Sequence, residues 1–144
     1  MYQVIISLAS NRFQKKNLSK ARRCLEEIFF DLRFTSECWT DPVGNTPCRD
    51  AYLNQLAIGN TELDEPTLNE WLKKTELNFG RTEAKRQLGI VPIDLDILDF
   101  NGEKRHLRDW ERPYVRQLIK ELSPKKQIEN QRFRNRKPMT LKKK

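Results

Sequence analysis

The chain has 144 residues, of which 37% are hydrophobic and 33% are charged, and its formal net charge is +8. A chain of this length is typical of one domain. No apolar stretch approaches the length of a membrane span, and the apolar run 4–8 is too short for the core of a signal peptide. We therefore expect a soluble protein of the cytoplasm, acting as a monomer and without a membrane anchor.

The positive charge is confined to the end of the chain. Residues 125–144 contain nine basic residues and one acidic residue, whereas residues 1–124 contain 19 of each. This asymmetry predicts a folded domain over residues 1–124 and a basic, disordered tail over residues 125–144. Such a tail is also suited to RNA or another polyanion, although Phe133 is its only aromatic residue for base stacking.

The first half of the chain alternates between apolar runs and turn-forming residues. Residues 2–8 are β-branched and apolar, which predicts a buried strand. Residues 17–30 repeat apolar side chains at helical spacing. A second strand is predicted at 34–39, and a third at 51–58 after a loop rich in proline and glycine at 41–47.

The second half repeats this order. Proline in its first turn and Gly80 just past its end predict a helix from Glu65 to Phe79. The remaining predictions are a charged loop at 81–89, a fourth strand at 93–100, a turn at 101–102 and a last helix at 112–122. The order β-α-β-β-α-β is that of a ferredoxin-like α+β fold. We expect a four-stranded antiparallel sheet with two helices on one face, followed by a C-terminal helix.

The predicted fourth strand carries two aspartates separated by one leucine. Because side chains alternate along a strand, Asp94 and Asp96 should point to one face while Ile93, Leu95 and Ile97 point to the other. Neighbouring carboxylates repel each other, so they are either a solvated acidic face or the ligands of a cation. Mg²⁺ is commonly held by one or two carboxylates together with substrate phosphates.

Five segments are informative when they are considered together and in their order along the chain: Ile5–Asn11, Trp39–Gly44, Tyr52–Asn54, Glu76–Arg81 and Pro92–Ile97. Each segment alone is more simply a turn, a solvated loop, a strand face or a helix end. Together they resemble the motifs of the 6-hydroxymethyl-7,8-dihydropterin pyrophosphokinases, with Ala9 where the family usually has glycine. The segments Tyr52–Asn54 and Pro92–Ile97 are the most specific part of this resemblance.

The resemblance implies transfer of pyrophosphate from ATP to the hydroxymethyl oxygen of a reduced pterin. It assigns Asp94, Asp96 and Arg81 to catalysis, with both aspartates holding two Mg²⁺ ions that bridge the ATP phosphates. It places the pterin against Thr40, Val43, Tyr52, Asn54 and Tyr114. It places the nucleotide against Arg81, Lys85, Arg86, Ile97 and Arg112.

The chain also departs from the family pattern on the nucleotide side. Val91 stands at the position of a family arginine, Leu88 at that of a loop tryptophan, and Glu83 at that of a second loop arginine. The family's Pro-His segment is absent between His106 and Arg112. The alternative hypothesis is therefore a non-catalytic binding module, which binds pterin or nucleotide, or a polyanion through its tail.

Overall fold

The computed structural model describes residues 1–122 and shows an α+β domain built on one antiparallel sheet. Its strands are β1 (Tyr2–Ser10), β2 (Phe30–Phe34), β3 (Cys38–Thr40), β4 (Tyr52–Thr61), β5 (Asp94–Phe100) and β6 (Glu103–Lys104). Its helices are α1 (Gln14–Leu25), α2 (Glu65–Asn78), α3 (Glu83–Gln87), α4 (Leu107–Trp110) and α5 (Pro113–Leu118), followed by a 3₁₀ helix (Ile119–Leu122). The predicted α+β class is confirmed.

The sheet has six strands where four were predicted. Its order is β2-β4-β1-β5-β6, and β3 pairs with the other end of β4. The second strand was predicted at 34–39, but these residues include only the last residue of β2 and the first two of β3. Between the two strands, the side chain of Thr35 accepts a hydrogen bond from the Leu56 amide at 3.0 Å. The extra strand β6 follows Asn101 and Gly102, whose φ angles of 54° and 95° form a hairpin turn.

Helices cover both faces of the sheet. Helices α1 and α2 pack on one face against a core that includes Ile6, Ala57 and Leu95. Helix α5 and the 3₁₀ helix cover part of the other face, where Leu56 and Leu98 are buried. The two long helices thus share one face as predicted, and the C-terminal segment closes the other. The remaining open part of that second face contains the candidate site.

Helix α2 was predicted almost to the residue, because its ends are set by local chemistry. The Asp64 carboxylate accepts a hydrogen bond from the Thr67 amide at 3.0 Å, Pro66 lies in the first turn, and Gly80 has a φ of 92° just beyond the last turn. Helix α1 begins and ends earlier than the predicted range 17–30.

Two short helices were missed. The predicted loop 81–89 contains α3, whose N-terminus is capped by the Thr82 hydroxyl, which accepts a hydrogen bond from the Lys85 amide at 3.2 Å. Helix α4 precedes the predicted last helix, whose final turn is 3₁₀. Helices of one turn are too short to give a periodic pattern and depend on caps and tertiary packing.

No helix within residues 1–122 is long and apolar enough to cross a membrane. The predicted domain boundary at residue 124 and the basic tail at 125–144 lie outside the described residues.

Candidate active site

Strand β5 places its two aspartates on one face of the sheet. Asp94 and Asp96 line the same cavities, whereas Ile97 is buried in the core on the opposite face. In the pairing of β5 with β1, Asp94 lies opposite Ala9 and Asp96 lies opposite Ser7. These small neighbours leave open space beside the carboxylates, and both of them line the same cavity as the aspartates.

The first cavity has a volume of about 240 Å³ and lies over strands β1, β4 and β5. All the residues predicted for the pterin line it, namely Thr40, Val43, Tyr52, Asn54 and Tyr114. They come from the end of β3, the loop after it, strand β4 and helix α5, so the fold gathers residues that are far apart in sequence.

Asn54 supplies a buried amide to this cavity. Its side chain is 3% exposed, and its Nδ2 donates to the Cys38 carbonyl at 3.0 Å and to the Thr40 hydroxyl at 2.8 Å. None of the hydrogen bonds within residues 1–122 uses its Oδ1. A buried acceptor without a donor is costly, so this oxygen is suited to an N–H group of a ligand.

Two tyrosines form aromatic walls of the first cavity. Burial raises the pKa of Tyr114 to about 12. Burial, and after it the charge of Asp94, also raises the pKa of Tyr52. Both phenols are therefore neutral at physiological pH, and they offer apolar ring faces and neutral hydroxyls to a flat heterocycle.

The second cavity, of about 590 Å³, lies between helix α2, helix α3 and strand β5. It is lined by Lys73, Glu76, Leu77, Arg81, Thr82, Glu83, Arg86, Asp94 and Asp96. The aspartates thus belong to both cavities. Ligands bound in the two cavities would meet at Asp94 and Asp96.

The charged side chains of the second cavity alternate in sign. Lys73 Nζ lies 3.4 Å from Asp96 Oδ1 and 3.2 Å from Glu76 Oε2. Arg81 Nη1 lies 2.9 Å from Glu76 Oε1 and 2.9 Å from Asp94 Oδ1. Glu76 therefore joins the two cations, and each cation is also paired with one aspartate. With three carboxylates and two cations, this network retains one negative charge.

The electrostatics of the aspartate pair favour a bound cation. Burial, and after it the charge of Asp94, raises the pKa of Asp96, although Lys73 opposes this shift. Within residues 1–122, no group of three or more His, Cys, Asp or Glu side chains is arranged to hold a metal ion. The two aspartates nevertheless fit Mg²⁺, which binds carboxylate oxygens and commonly completes its shell with water and phosphate oxygens.

The structure places the other residues predicted for the nucleotide at different locations. Arg86 lines the second cavity, whereas Lys85 lies on α3 and lines neither cavity. Arg112 lines the first cavity, where it pairs with Asp109 at 3.2 Å. Ile97 is 4% exposed and packs within the core, so only its backbone is placed to contact a nucleotide.

Two residues of the site were missed by sequence reasoning. Lys73 was assigned no role, and Glu76 was noted only as the first residue of the segment Glu76–Arg81. Their spacing of three residues puts both on one side of a helix. A lysine and a glutamate at that spacing occur on many solvated helices, so only the contact of α2 with β5 distinguishes this pair.

The chain is similar to a known protein family and to several known proteins. The model of the family described as 7,8-dihydro-6-hydroxymethylpterin-pyrophosphokinase matches residues 5–140. The folate synthesis bifunctional protein of Arabidopsis thaliana is 31% identical over 141 residues, which cover 91% of this chain and 29% of that protein. The mitochondrial folate synthesis bifunctional protein of Pisum sativum is 29% identical over 122 residues, covering 78% of this chain and 24% of that protein.

A bacterial relative shows the same likeness over a shorter stretch. The folate synthesis bifunctional protein of Chlamydia trachomatis is 32% identical over 83 residues, which cover 51% of this chain and 18% of that protein. The chain therefore spans less than a third of the length of these relatives. Since the family model matches residues 5–140, which is most of the chain, the chain belongs to the 7,8-dihydro-6-hydroxymethylpterin-pyrophosphokinase family.

Proposed function

We propose that this chain is a Mg²⁺-dependent enzyme of folate synthesis that transfers pyrophosphate from ATP to 6-hydroxymethyl-7,8-dihydropterin. One observation carries the proposal: Asp94 and Asp96 line both a small aromatic cavity and a larger cavity that also contains the cations Lys73, Arg81 and Arg86. An acceptor in the first cavity and a phosphate donor in the second would meet at the carboxylates. Family membership supports the same reaction.

The first cavity is suited to the pterin. Its volume lies below that of most drug-sized sites, which fits a small bicyclic ring. The free Oδ1 of Asn54 can accept a hydrogen bond from the amino or amide edge of the ring. Tyr52 and Tyr114 can pack against the ring faces, while Thr40 and Val43 border its polar edge.

The second cavity is suited to the phosphates of ATP. Arg81 and Arg86 can bind phosphate oxygens, for which guanidinium groups have the right geometry. Asp94 and Asp96 would hold Mg²⁺, which would neutralise part of the negative charge of the phosphates. Arg81 is already oriented by two carboxylates, so its position is set before substrate arrives.

The chain's residues would act by positioning rather than by covalent participation. The hydroxymethyl oxygen of the pterin forms a bond to the β-phosphorus of ATP, and the bond between that phosphorus and the oxygen bridging to the α-phosphate breaks. AMP leaves with the bridging oxygen, and the hydroxyl proton passes to solvent. Pyrophosphate is thus transferred intact.

The diagnostic experiment is an assay of AMP release. ATP, Mg²⁺ and 6-hydroxymethyl-7,8-dihydropterin are incubated with the protein, and AMP and ADP are separated by chromatography. We expect AMP to appear together with an equal amount of pterin pyrophosphate, and only when all three components are present. Formation of ADP, or no nucleotide product at millimolar Mg²⁺, would reject the proposed reaction.

The alternative of a polyanion-binding module has less support from the described residues. RNA-binding sheets of ferredoxin-like topology usually bind bases on exposed aromatic residues of the sheet face. Here Leu56, Ile58 and Leu98 on that face are buried beneath Val115 and Leu118. The basic tail, for which polyanion binding was the alternative hypothesis, lies outside residues 1–122.

The Tyr114 ring should contribute to pterin affinity. We expect Tyr114→Ala to weaken binding of a reduced-pterin analogue by about 3- to 10-fold, the usual worth of an aromatic contact. Tyr114→Phe should bind nearly as well as the wild type, because the ring remains. Isothermal titration calorimetry with a non-hydrolysable ATP analogue and Mg²⁺ measures both variants. An equal loss in the two variants would assign the contact to the hydroxyl instead.

A further inference from the structure

Lys73 places a cation at the aspartate pair for which the proposed reaction gives no role. Its ammonium nitrogen lies 3.4 Å from Asp96 Oδ1, 3.2 Å from Glu76 Oε2 and 3.3 Å from the Leu95 carbonyl oxygen. Most surface lysines are solvated and mobile, whereas this ammonium has an oxygen partner for each of its three donors. It is therefore fixed beside one of the two predicted metal ligands.

Buried Glu76 holds this lysine in place. Glu76 is 4% exposed and accepts a hydrogen bond from the Leu95 amide at 2.8 Å, which ties the end of α2 to β5. Lys73 lies one helical turn before Glu76, on the same side of α2. The Lys73 side chain is still 45% exposed, so its ammonium is accessible from the second cavity.

Asp94 and Asp96 carry two neighbouring negative charges, which nearby cations must offset. The segment 89–93, which leads into β5, contains no charged residue. Among the residues lining the second cavity, the cations in contact with the aspartates are Lys73 and Arg81, from α2 and the turn after it. Lys73 and a divalent ion bound by Asp96 would lie close to each other and would repel each other.

We propose that Lys73 is an internal counter-cation of the metal site, which neutralises Asp96 when no divalent ion is bound and lowers the affinity of the site for a free ion. This inference rests on the proposed function, since that function places Mg²⁺ at Asp94 and Asp96. This role has a direct consequence for the order in which the metal and a polyphosphate bind. Free metal binds weakly, and metal that arrives with a polyphosphate, which brings negative charge of its own, binds better.

The test is a titration with Mn²⁺ alone, in which the electron paramagnetic resonance signal of the free ion reports binding. Lys73→Gln removes the charge, and Lys73→Arg keeps it. Lys74→Gln removes a neighbouring exposed charge of the same helix. We expect Lys73→Gln to bind Mn²⁺ about 3- to 10-fold more tightly than the wild type, the range for a partly exposed charge acting on a divalent ion. Lys73→Arg and Lys74→Gln should both be within about twofold of the wild type.

Thermal melting gives a readout that a purely structural lysine would not produce. In EDTA, Lys73→Gln should melt below the wild type, because Asp96 and Glu76 lose their counter-cation. Saturating Mn²⁺ should reduce or remove that difference, since the ion replaces the missing charge. Lys74→Gln should melt like the wild type at all Mn²⁺ concentrations.

Failure of this inference can be distinguished from failure of the proposed function. If the wild type binds Mn²⁺ but Lys73→Gln binds it equally or more weakly, the counter-cation role is overturned and the metal site stands. If the melting difference is the same with and without Mn²⁺, the role is likewise overturned. If neither protein binds Mn²⁺, even with a non-hydrolysable ATP analogue, the metal site itself is rejected and the inference with it.

Discussion

Replacing Asp96 by asparagine should abolish pyrophosphate transfer while leaving the protein at least as stable as before. Asparagine keeps the shape of the side chain but removes the charge that would hold Mg²⁺. Loss of one electrostatic group acting on a transferring phosphoryl is worth about 100- to 1,000-fold in rate, and loss of a metal ligand at least as much. AMP release measured at saturating Mg²⁺ and ATP gives this effect directly.

The expected stability follows from the raised pKa of Asp96. Burial, and after it the charge of Asp94, makes the folded protein bind the Asp96 proton more tightly than the unfolded chain does. This carboxyl therefore favours folding at acidic pH, and its contribution is lost as pH rises from the unfolded pKa, near 4, through the folded pKa. At neutral pH the charged form destabilises the fold, so Asp96→Asn should melt at the same or a higher temperature.

Asp50→Asn is a suitable control, because Asp50 is exposed and lines neither cavity. It should leave both turnover and melting temperature unchanged. Melting of the wild type and Asp96→Asn in EDTA at pH 4 and pH 7 tests whether the charged form of Asp96 destabilises the fold. The gain of the variant should be larger at pH 7. A variant that is inactive but melts well below the wild type would show that Asp96 is needed for the fold rather than for the metal.

Replacing Glu76 by alanine should cause a large loss of stability in this domain. Its carboxylate is buried, accepts the Leu95 amide at 2.8 Å and pairs with both Lys73 and Arg81. Alanine would leave a buried amide without an acceptor and two cations without their shared partner. We expect a cost of about 2–4 kcal/mol in the free energy of unfolding, the range for broken buried hydrogen bonds and ion pairs.

Glu76→Gln separates the contribution of the hydrogen bond from the Leu95 amide from that of the ion pairs with Lys73 and Arg81. Burial raises the pKa of Glu76, although the Leu95 amide and the two cations oppose that shift. Glutamine avoids the cost of burying a charge, and its carbonyl oxygen can still accept the Leu95 amide, so it should be clearly less destabilising than alanine. Urea unfolding at pH 7 compares the two variants. If glutamine costs as much as alanine, the ion pairs rather than the hydrogen bond hold α2 to β5.

The local features of this fold could be read from short stretches of sequence. Strand alternation predicted that Asp94 and Asp96 share one face, because the period of 2 is a property of the extended backbone itself. The ends of α2 were predicted from Pro66 and Gly80, whose effects reach only a few residues. Motif order, in turn, identified the family and most of the residues that line the first cavity.

What the sequence by itself determined, then, is the type of most elements, the shared face of the aspartates and the five residues predicted for the pterin that line the first cavity. The tertiary structure decided which side chains meet. It placed Tyr114 of α5 over the face of β4, put Arg112 in the first cavity and not the second, and brought Lys73 and Glu76 against β5. These contacts join residues far apart in the chain, and they depend on how helices pack on the sheet, which no local pattern of residues specifies.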